Sequence, residues 1–130
     1  MLYEIEGKRD SRGVLYPFEF KKHNFKPERM FFVKDVPEGD IRGEHAHKET
    51  DQLLFCLNGA IEVALFDGSS TETFLIQEGE YVFEKRMTWT TLKFLKPDSI
   101  LLVASSKEYD PLDYIRDFNT FISLISLKSV

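Results

Sequence analysis

The chain has one cysteine, Cys56, so no disulfide can close within it. That residue sits in the apolar run Leu53-Leu54-Phe55-Cys56-Leu57, where a thiol behaves as a small buried hydrophobe rather than a nucleophile. With no bridge to form and no leader-like stretch, a reducing cytoplasm is the expected compartment. Long hydrophobic runs are missing as well, so neither a helical membrane span nor a membrane partner is expected. Basic residues are outnumbered. The net charge is −5, whereas a protein gripping a nucleic-acid backbone would show a clustered basic excess. A small anionic ligand fits this balance, because one or two placed cations suffice to hold it. No proline-, glycine- or serine-rich linker, low-complexity tract or repeat divides the 130 residues, which read as one domain over residues 1–130.

What is present is material for a core. Hydrophobic residues make up 42% of the chain and 12 residues are Phe. A domain of this size folds on such a core without a metal or a bridge. Between residues 30 and 104, short β-prone runs alternate with turn signals. Residues 30–36 stop at Pro37-Glu38-Gly39-Asp40, 41–47 alternate, 52–57 end at Asn58-Gly59, and 61–66 run into Asp67-Gly68. Further runs follow at 71–76, 81–84, 88–95 and 100–104. Asn-Gly between two such runs is a strong hairpin signal, and the repeated spacing predicts an all-β sandwich or barrel. Strand-like pieces at 2–5 and 14–20 flank the turn Asp10-Ser11-Arg12-Gly13. The tail differs. Asp110 before Pro111 reads as a helix N-cap, and Ile115, Phe118, Phe121, Ile122 and Ile125 recur at helical spacing. An amphipathic helix over 111–127, packed on the barrel, is predicted.

Two of the three histidines are His45 and His47. Two residues apart on a strand, they project from one face, and on a barrel strand one face looks into the cavity. Two rings that titrate near neutral pH suit general acid–base work or metal ligation; the bland alternative is an exposed turn without function. Glu49 shares their parity and can complete a metal site of two histidines and a carboxylate, but no histidine follows His47. Acid–base chemistry without a metal leads. Arg42 would face away from the histidines in an unbroken strand, and a bulge at Gly43 would re-aim it, as a phosphate-binding cation or as half of a surface salt bridge. Trp89, the single tryptophan, stacks on a base or sugar or belongs to the core. Gln52 opens a buried strand and needs a polar partner, from a ligand or from the chain.

The string Arg42-Gly43-Glu44-His45-Ala46-His47-Lys48 carries a resemblance. Gln52, Leu57-Asn58-Gly59, Trp89, Ala104-Ser105 and the tail Tyr109-Asp110-Pro111-Leu112-Asp113-Tyr114-Ile115-Arg116 extend it, and Asp10-Ser11-Arg12-Gly13 with Glu19 match its opening. Together they resemble the sugar 3,4-ketoisomerases acting on dTDP-4-keto-6-deoxyglucose, over nearly the whole chain. The resemblance implies a cupin (jelly-roll) barrel with a C-terminal helix, no metal or other cofactor, and a homodimer that exchanges N-terminal strands. It implies a dTDP-linked keto sugar as substrate, made into 3-amino-3,6-dideoxyhexoses for surface polysaccharides. It places His45 and His47 in catalysis, and Arg42, Gln52, Trp89 and Arg12 at the substrate. Three positions depart from the family pattern: Thr90 stands where a histidine commonly follows the tryptophan, Phe31-Phe32-Val33-Lys34 replaces a strand that often carries tyrosines, and Glu44 is charged.

The expected reaction moves a ketone from carbon 4 to carbon 3 through an enediol. It requires a base for the proton on carbon 3, an acid for carbon 4, and donors for the charge that builds on oxygen. His47 is expected as the base and His45 as its partner or oxyanion donor, an assignment the residues alone leave interchangeable. Arg42 would hold diphosphate. The other readings are a related isomerase or epimerase of another nucleotide sugar, a catalytically silent nucleotide-sugar-binding cupin, and a metal-dependent cupin enzyme.

Overall fold

Gln52–Asn58 becomes a strand buried on both faces over most of its length, and this explains both its unbroken hydrophobicity and the stacking of layers around it. In the computed structural model, which describes residues 1–128, the strands are β1 (Leu2–Glu4), β2 (Lys8–Asp10), β3 (Gly13–Leu15), β4 (Arg29–Val33), β5 (Ile41–His47), β6 (Gln52–Asn58), β7 (Ala60–Phe66), β8 (Thr71–Gln77), β9 (Glu80–Glu84), β10 (Trp89–Phe94), β11 (Ile100–Ser105) and β12 (Tyr114–Ile115). One helix, α1 (Phe118–Lys128), follows them. Two five-stranded antiparallel sheets, in the orders β1-β9-β6-β11-β4 and β12-β5-β10-β7-β8, form the jelly-roll barrel, and β2 pairs with β3 in a small ribbon.

Alternation sorts the side chains into three layers. Leu54, Val82 and Val103 of the first sheet meet Ile61, Val63, Ile76, Leu92 and Phe94 of the second between the sheets. Leu53, Phe55 and Tyr81 point the other way and are covered by Tyr3, Ile5, Phe18, Phe20 and Phe25 of the N-terminal segment. Outside the second sheet, Ala46 and Ile115 pack under Phe121 of α1. Among the described residues no helix is long and apolar enough to cross a membrane.

Most strand limits fall within a residue or two of the expected ones, but both ends of the chain differ. The strand expected over 14–20 stops at Leu15, ahead of Pro17, which has no N–H to give a ladder, and a 3-10 turn occupies Phe20–His23. The helix expected over 111–127 breaks into three pieces. Asp110 does cap a turn, accepting from the Leu112 N–H at 2.9 Å, but that turn is a single 3-10 turn, Pro111–Asp113. Tyr114 and Ile115 then pair with His47 and Ala46, because the open edge of β5 offers a ladder that a helix there would leave unsatisfied. Helix α1 starts only at Phe118, with the Asp117 carboxylate accepting from the Thr120 N–H at 2.9 Å.

The hairpin between β6 and β7 turns on Gly59 alone, at φ 80°, and a Cβ there would lie 2.6 Å from the Ser99 Cα. Both the backbone conformation and the contact reject a side chain. Gly59→Ala should therefore cost about 2–3 kcal/mol in urea unfolding. A loss below about 0.5 kcal/mol, the scale of a neutral surface change, would mean that the turn relaxes freely.

Candidate active site

The site grows out of β5. Thr90 pairs with His45 and Thr91 with Gly43, so the register slips by one and Glu44 is left without a partner. Gly43 and Glu44 both take positive φ, 88° and 55°. A Cβ on Gly43 would sit 2.9 Å from the Thr90 carbonyl oxygen, so glycine is required on two counts. This is the bulge expected at Gly43. It returns Arg42 to the face of His45, and both line a cavity of about 100 Å³ between the sheets. Gln52, Glu84 and Thr90 complete its polar lining, among aliphatic and phenylalanine side chains.

His47 shares the inward face of His45 but is shut in more deeply, at 3% exposure. The two rings lie 5.1 Å apart and nearly perpendicular. His47 Nδ1 donates to Asp113 Oδ2 at 3.2 Å, while Nε2 is buried with no hydrogen-bond partner among the described residues. His45 Nδ1 donates to the Gly43 carbonyl at 2.9 Å. Both acceptors lack a hydrogen, so each neutral ring carries its proton on Nδ1 and presents a lone pair at Nε2. Asp113 is held in turn by the Glu49 N–H at 2.7 Å and by the Thr50 hydroxyl. Burial pushes its carboxyl up, but the bonds from Thr50, Glu49 and His47 outweigh this and keep it below its usual range.

Burial, with the neighbouring His45 as second cause, pushes His47 down to about 4, against the pull of Asp113. His45 is also lowered, chiefly by burial and despite the Gly43 bond. Glu84 moves the other way. Only 4% exposed, it is raised by burial to about 7. The Thr90 hydroxyl lowers it somewhat and Asp51 raises it. No well-formed bond joins Thr90 to Glu84, for Thr90 Oγ1 is itself buried without a partner. A cavity with the His45 lone pair, a carboxyl raised to about 7 and the Arg42 cation, and with the buried His47 Nε2 beside it, is equipped for proton transfer.

Of the residues expected here, the structure gathers His45, Arg42 and Gln52 at the cavity with His47 adjoining. Gln52 has found a partner in the chain, donating to Ser105 Oγ at 2.7 Å. Trp89 is not brought in. It neighbours Thr90 on β10 and so faces outward, packing edge-on against Phe118 at 5.2 Å beneath α1. Arg12 is not brought in either; it lies exposed on the turn between β2 and β3, bound to Asp10 at 2.6 Å. Glu49 turns to Lys107, 3.4 Å away at the surface. No three His, Cys, Asp or Glu side chains among the described residues are placed to hold a metal. Sequence reasoning missed Glu84 and Asp113. Glu84 was legible, since it shares parity with the core residue Val82; Asp113 meets His47 only through the fold.

A family model described as FdtA, WxcM-like, C-terminal, matches residues 1–126. The TDP-4-oxo-6-deoxy-alpha-D-glucose-3,4-oxoisomerase of Aneurinibacillus thermoaerophilus is 34% identical over 121 residues, 90% of this chain and 86% of that one. A 3,4-ketoisomerase from Helicobacter canadensis superposes with a TM-score of 0.90 at 28% identity, covering 97% of this chain and 96% of the other. A histidine-to-asparagine mutant of the 3,4-ketoisomerase QdtA from Thermoanaerobacterium thermosaccharolyticum, in complex with TDP-4-keto-6-deoxyglucose, gives 0.91 at 25% identity, covering 98% and 94%.

The buried histidine makes stability depend on pH. His47 titrates near 6.5 when unfolded and near 4 when folded, so its contribution is present above pH 6.5 and lost as pH falls toward 4. The share is on the order of 3 kcal/mol. NMR titration should find the His47 ring neutral down to about pH 4, and lower still in Asp113→Asn, which removes the carboxylate favouring the charged ring. Urea stability should fall less steeply between pH 7 and 4.5 in His47→Asn than in the wild type. A His47 that titrates near 6.5 would mean that water reaches the ring.

Proposed function

The chain belongs to the FdtA family, WxcM-like, C-terminal, and we propose that it is a sugar-nucleotide 3,4-ketoisomerase, moving the keto group of dTDP-4-keto-6-deoxy-D-glucose from carbon 4 to carbon 3. The observation that carries the mechanism is His47: Nδ1 bound to Asp113 and Nε2 buried and unpartnered. A buried polar atom without a protein partner is open to a bond from a bound ligand or water. Asp113 sets the tautomer and favours the imidazolium that forms, so His47 is the base for the proton on carbon 3. His45 cannot serve as an oxyanion donor while neutral, because its one N–H is held by Gly43. It offers a second lone pair instead, and a charge on either ring opposes a charge on the other. Arg42 meets the anionic part of the ligand, while Gln52 and Thr90 flank the sugar. Trp89 anchors α1. The product, a 3-ketone, is what an aminotransferase making a 3-amino sugar would consume, and we place the reaction in the cytoplasm, in keeping with the single buried cysteine.

The active form is read as a homodimer. Strand β4 is an edge of its sheet and presents Met30 and Phe32, 63% and 65% exposed, beside the N-terminal segment. Within one chain β1 pairs with β9, and exchange of N-terminal strands would bring a second copy across that surface. Arg12, far from the cavity of its own chain, would reach a ligand only in such an assembly. Light scattering at micromolar concentration should give twice the 15.2 kDa of one chain; a monomer would dismiss the exchange.

For the chemistry, His47→Asn should lower turnover of dTDP-4-keto-6-deoxyglucose by about 10²–10⁴-fold, the worth of a general base. Affinity for TDP should hardly change, because the ring binds no part of the nucleotide. Solvent deuterium entering the sugar, followed by NMR, is the direct readout. Near wild-type exchange in this variant would remove His47 from the role, and a wild type that binds TDP without turnover would favour a silent binding protein.

A further inference from the structure

Both histidines have their single N–H committed, His45 to the Gly43 carbonyl and His47 to the Asp113 carboxylate. Neither neutral ring has a proton to give. Moving a ketone to the adjacent carbon nevertheless requires one proton to be put on an oxygen and another taken from its neighbour. Few groups at the cavity can do this. The Arg42 guanidinium, the Thr90 hydroxyl and the Gln52 amide offer hydrogen bonds rather than a proton shuttle. Phe31 and Val33, on β4, bring no hydroxyl. Tyr114 stands beside the histidines, its hydroxyl accepting from Arg29 at 3.3 Å, but it is not among the residues that line the cavity. Glu84 remains.

We propose that Glu84 is a second catalytic residue of this site, the carboxyl that passes a proton between the two sugar oxygens while His47 carries the carbon-bound one. The assignment rests on the ketoisomerase reading above. Glu84 lies on β9 opposite Gln52 of β6, 4% exposed, and lines the cavity with Arg42 and His45 of β5 and Thr90 of β10. It forms no ion pair among the described residues, and the Asp51 carboxylate, next to Gln52, raises it further. A carboxyl buried without a cation costs stability, and such groups concentrate where a proton must be held. Burial leaves it near half-protonated at neutral pH, so it can both give and take.

The cycle balances without a co-reactant. His47 Nε2 takes the proton of carbon 3, the C–H pair becomes the C3–C4 double bond, and the carbonyl pair on O4 takes the Glu84 proton, giving the enediol. The Glu84 carboxylate then takes the proton of O3, the O–H pair forms the C3 carbonyl, and the enediol pair takes the imidazolium proton at carbon 4. Both side chains return to their starting states.

The test uses the full chain, dTDP-4-keto-6-deoxyglucose and TDP. Glu84→Gln keeps volume and hydrogen bonding but cannot release a proton, and Glu84→Asp keeps the carboxyl. The Gln variant should bind TDP as the wild type does by calorimetry, while kcat falls by about 10²–10⁴-fold. The Asp variant should recover part of that loss. Because the acid form starts the cycle, wild-type kcat should decline as pH rises through about 7, and the residual rate of the Gln variant should lack that limb. An active wild type with a Gln variant within threefold of it would overturn the assignment. So would a wild-type kcat level from pH 7 to 9, a measurement that stands if the Gln variant fails to fold. A wild type that never turns the sugar over rejects the ketoisomerase reading itself, which is a different result.

Discussion

Because Glu44 is squeezed out of the ladder between β5 and β10, Arg42 and His45 stand on one face of the sheet although they lie three positions apart. In a regular strand only one of the two would reach the barrel interior. The bulge needs positive φ at two successive residues and a close approach to the Thr90 carbonyl; Gly43 supplies the first and the close approach, and Glu44 takes the second. It also fixes the direction of His45, whose Nδ1 reaches back to the Gly43 carbonyl. One inserted residue thus brings together a cation and an oriented imidazole.

The barrel interior then sets the protonation states. Removing charge-stabilising water favours the neutral form of every ionisable group, which pulls a histidine down and pushes a carboxyl up. His47 and Glu84 accordingly move in opposite directions, to about 4 and about 7. Near neutral pH the pocket therefore holds an unprotonated base and a carboxyl that still keeps much of its proton. In water the same two side chains would hold the reverse arrangement around pH 5, an ionised carboxylate and a charged imidazole. The order is imposed by packing, since Leu54, Val103 and Phe94 line the space between the sheets with hydrocarbon.

Much of the fold was legible because its signals are local. Asn58-Gly59 marks its hairpin, and the run through Gln52–Asn58 reads as a strand whichever layer covers it. His45 and His47 advertise themselves by parity, and Gly43 by what only glycine allows. What escaped depends on partners distant in the chain. The helical periodicity of the tail was real from Phe118 onward, but Tyr114 and Ile115 obey the free edge of β5 rather than their own spacing. Trp89 matched a family position, yet strand parity turns it toward α1 while Thr90 faces the cavity. Glu84 was overlooked for a different reason: a charged residue closing a strand looks like a solvated end until Val82, two residues back, is seen to face the core.

The tail that defied its periodicity completes the site. Pairing of Tyr114 with His47 puts Asp113 within reach of the ring, and the Lys48 N–H bond to the Asp113 carbonyl, 2.9 Å, draws the two segments together. Ile115 in turn pairs with Ala46 and lies under Phe121, so α1 clamps the segment from outside. The carboxylate that orients His47 is therefore fixed by Glu49 and Thr50 just after β5 together with a two-residue strand and a docked helix. Without Asp113, His47 would lose both its fixed tautomer and the charge that favours its protonated form, while Arg42, Gln52 and Glu84 would stay where the sheets hold them. The lining of the cavity and the proton affinity of His47 are thereby set by separate parts of the fold.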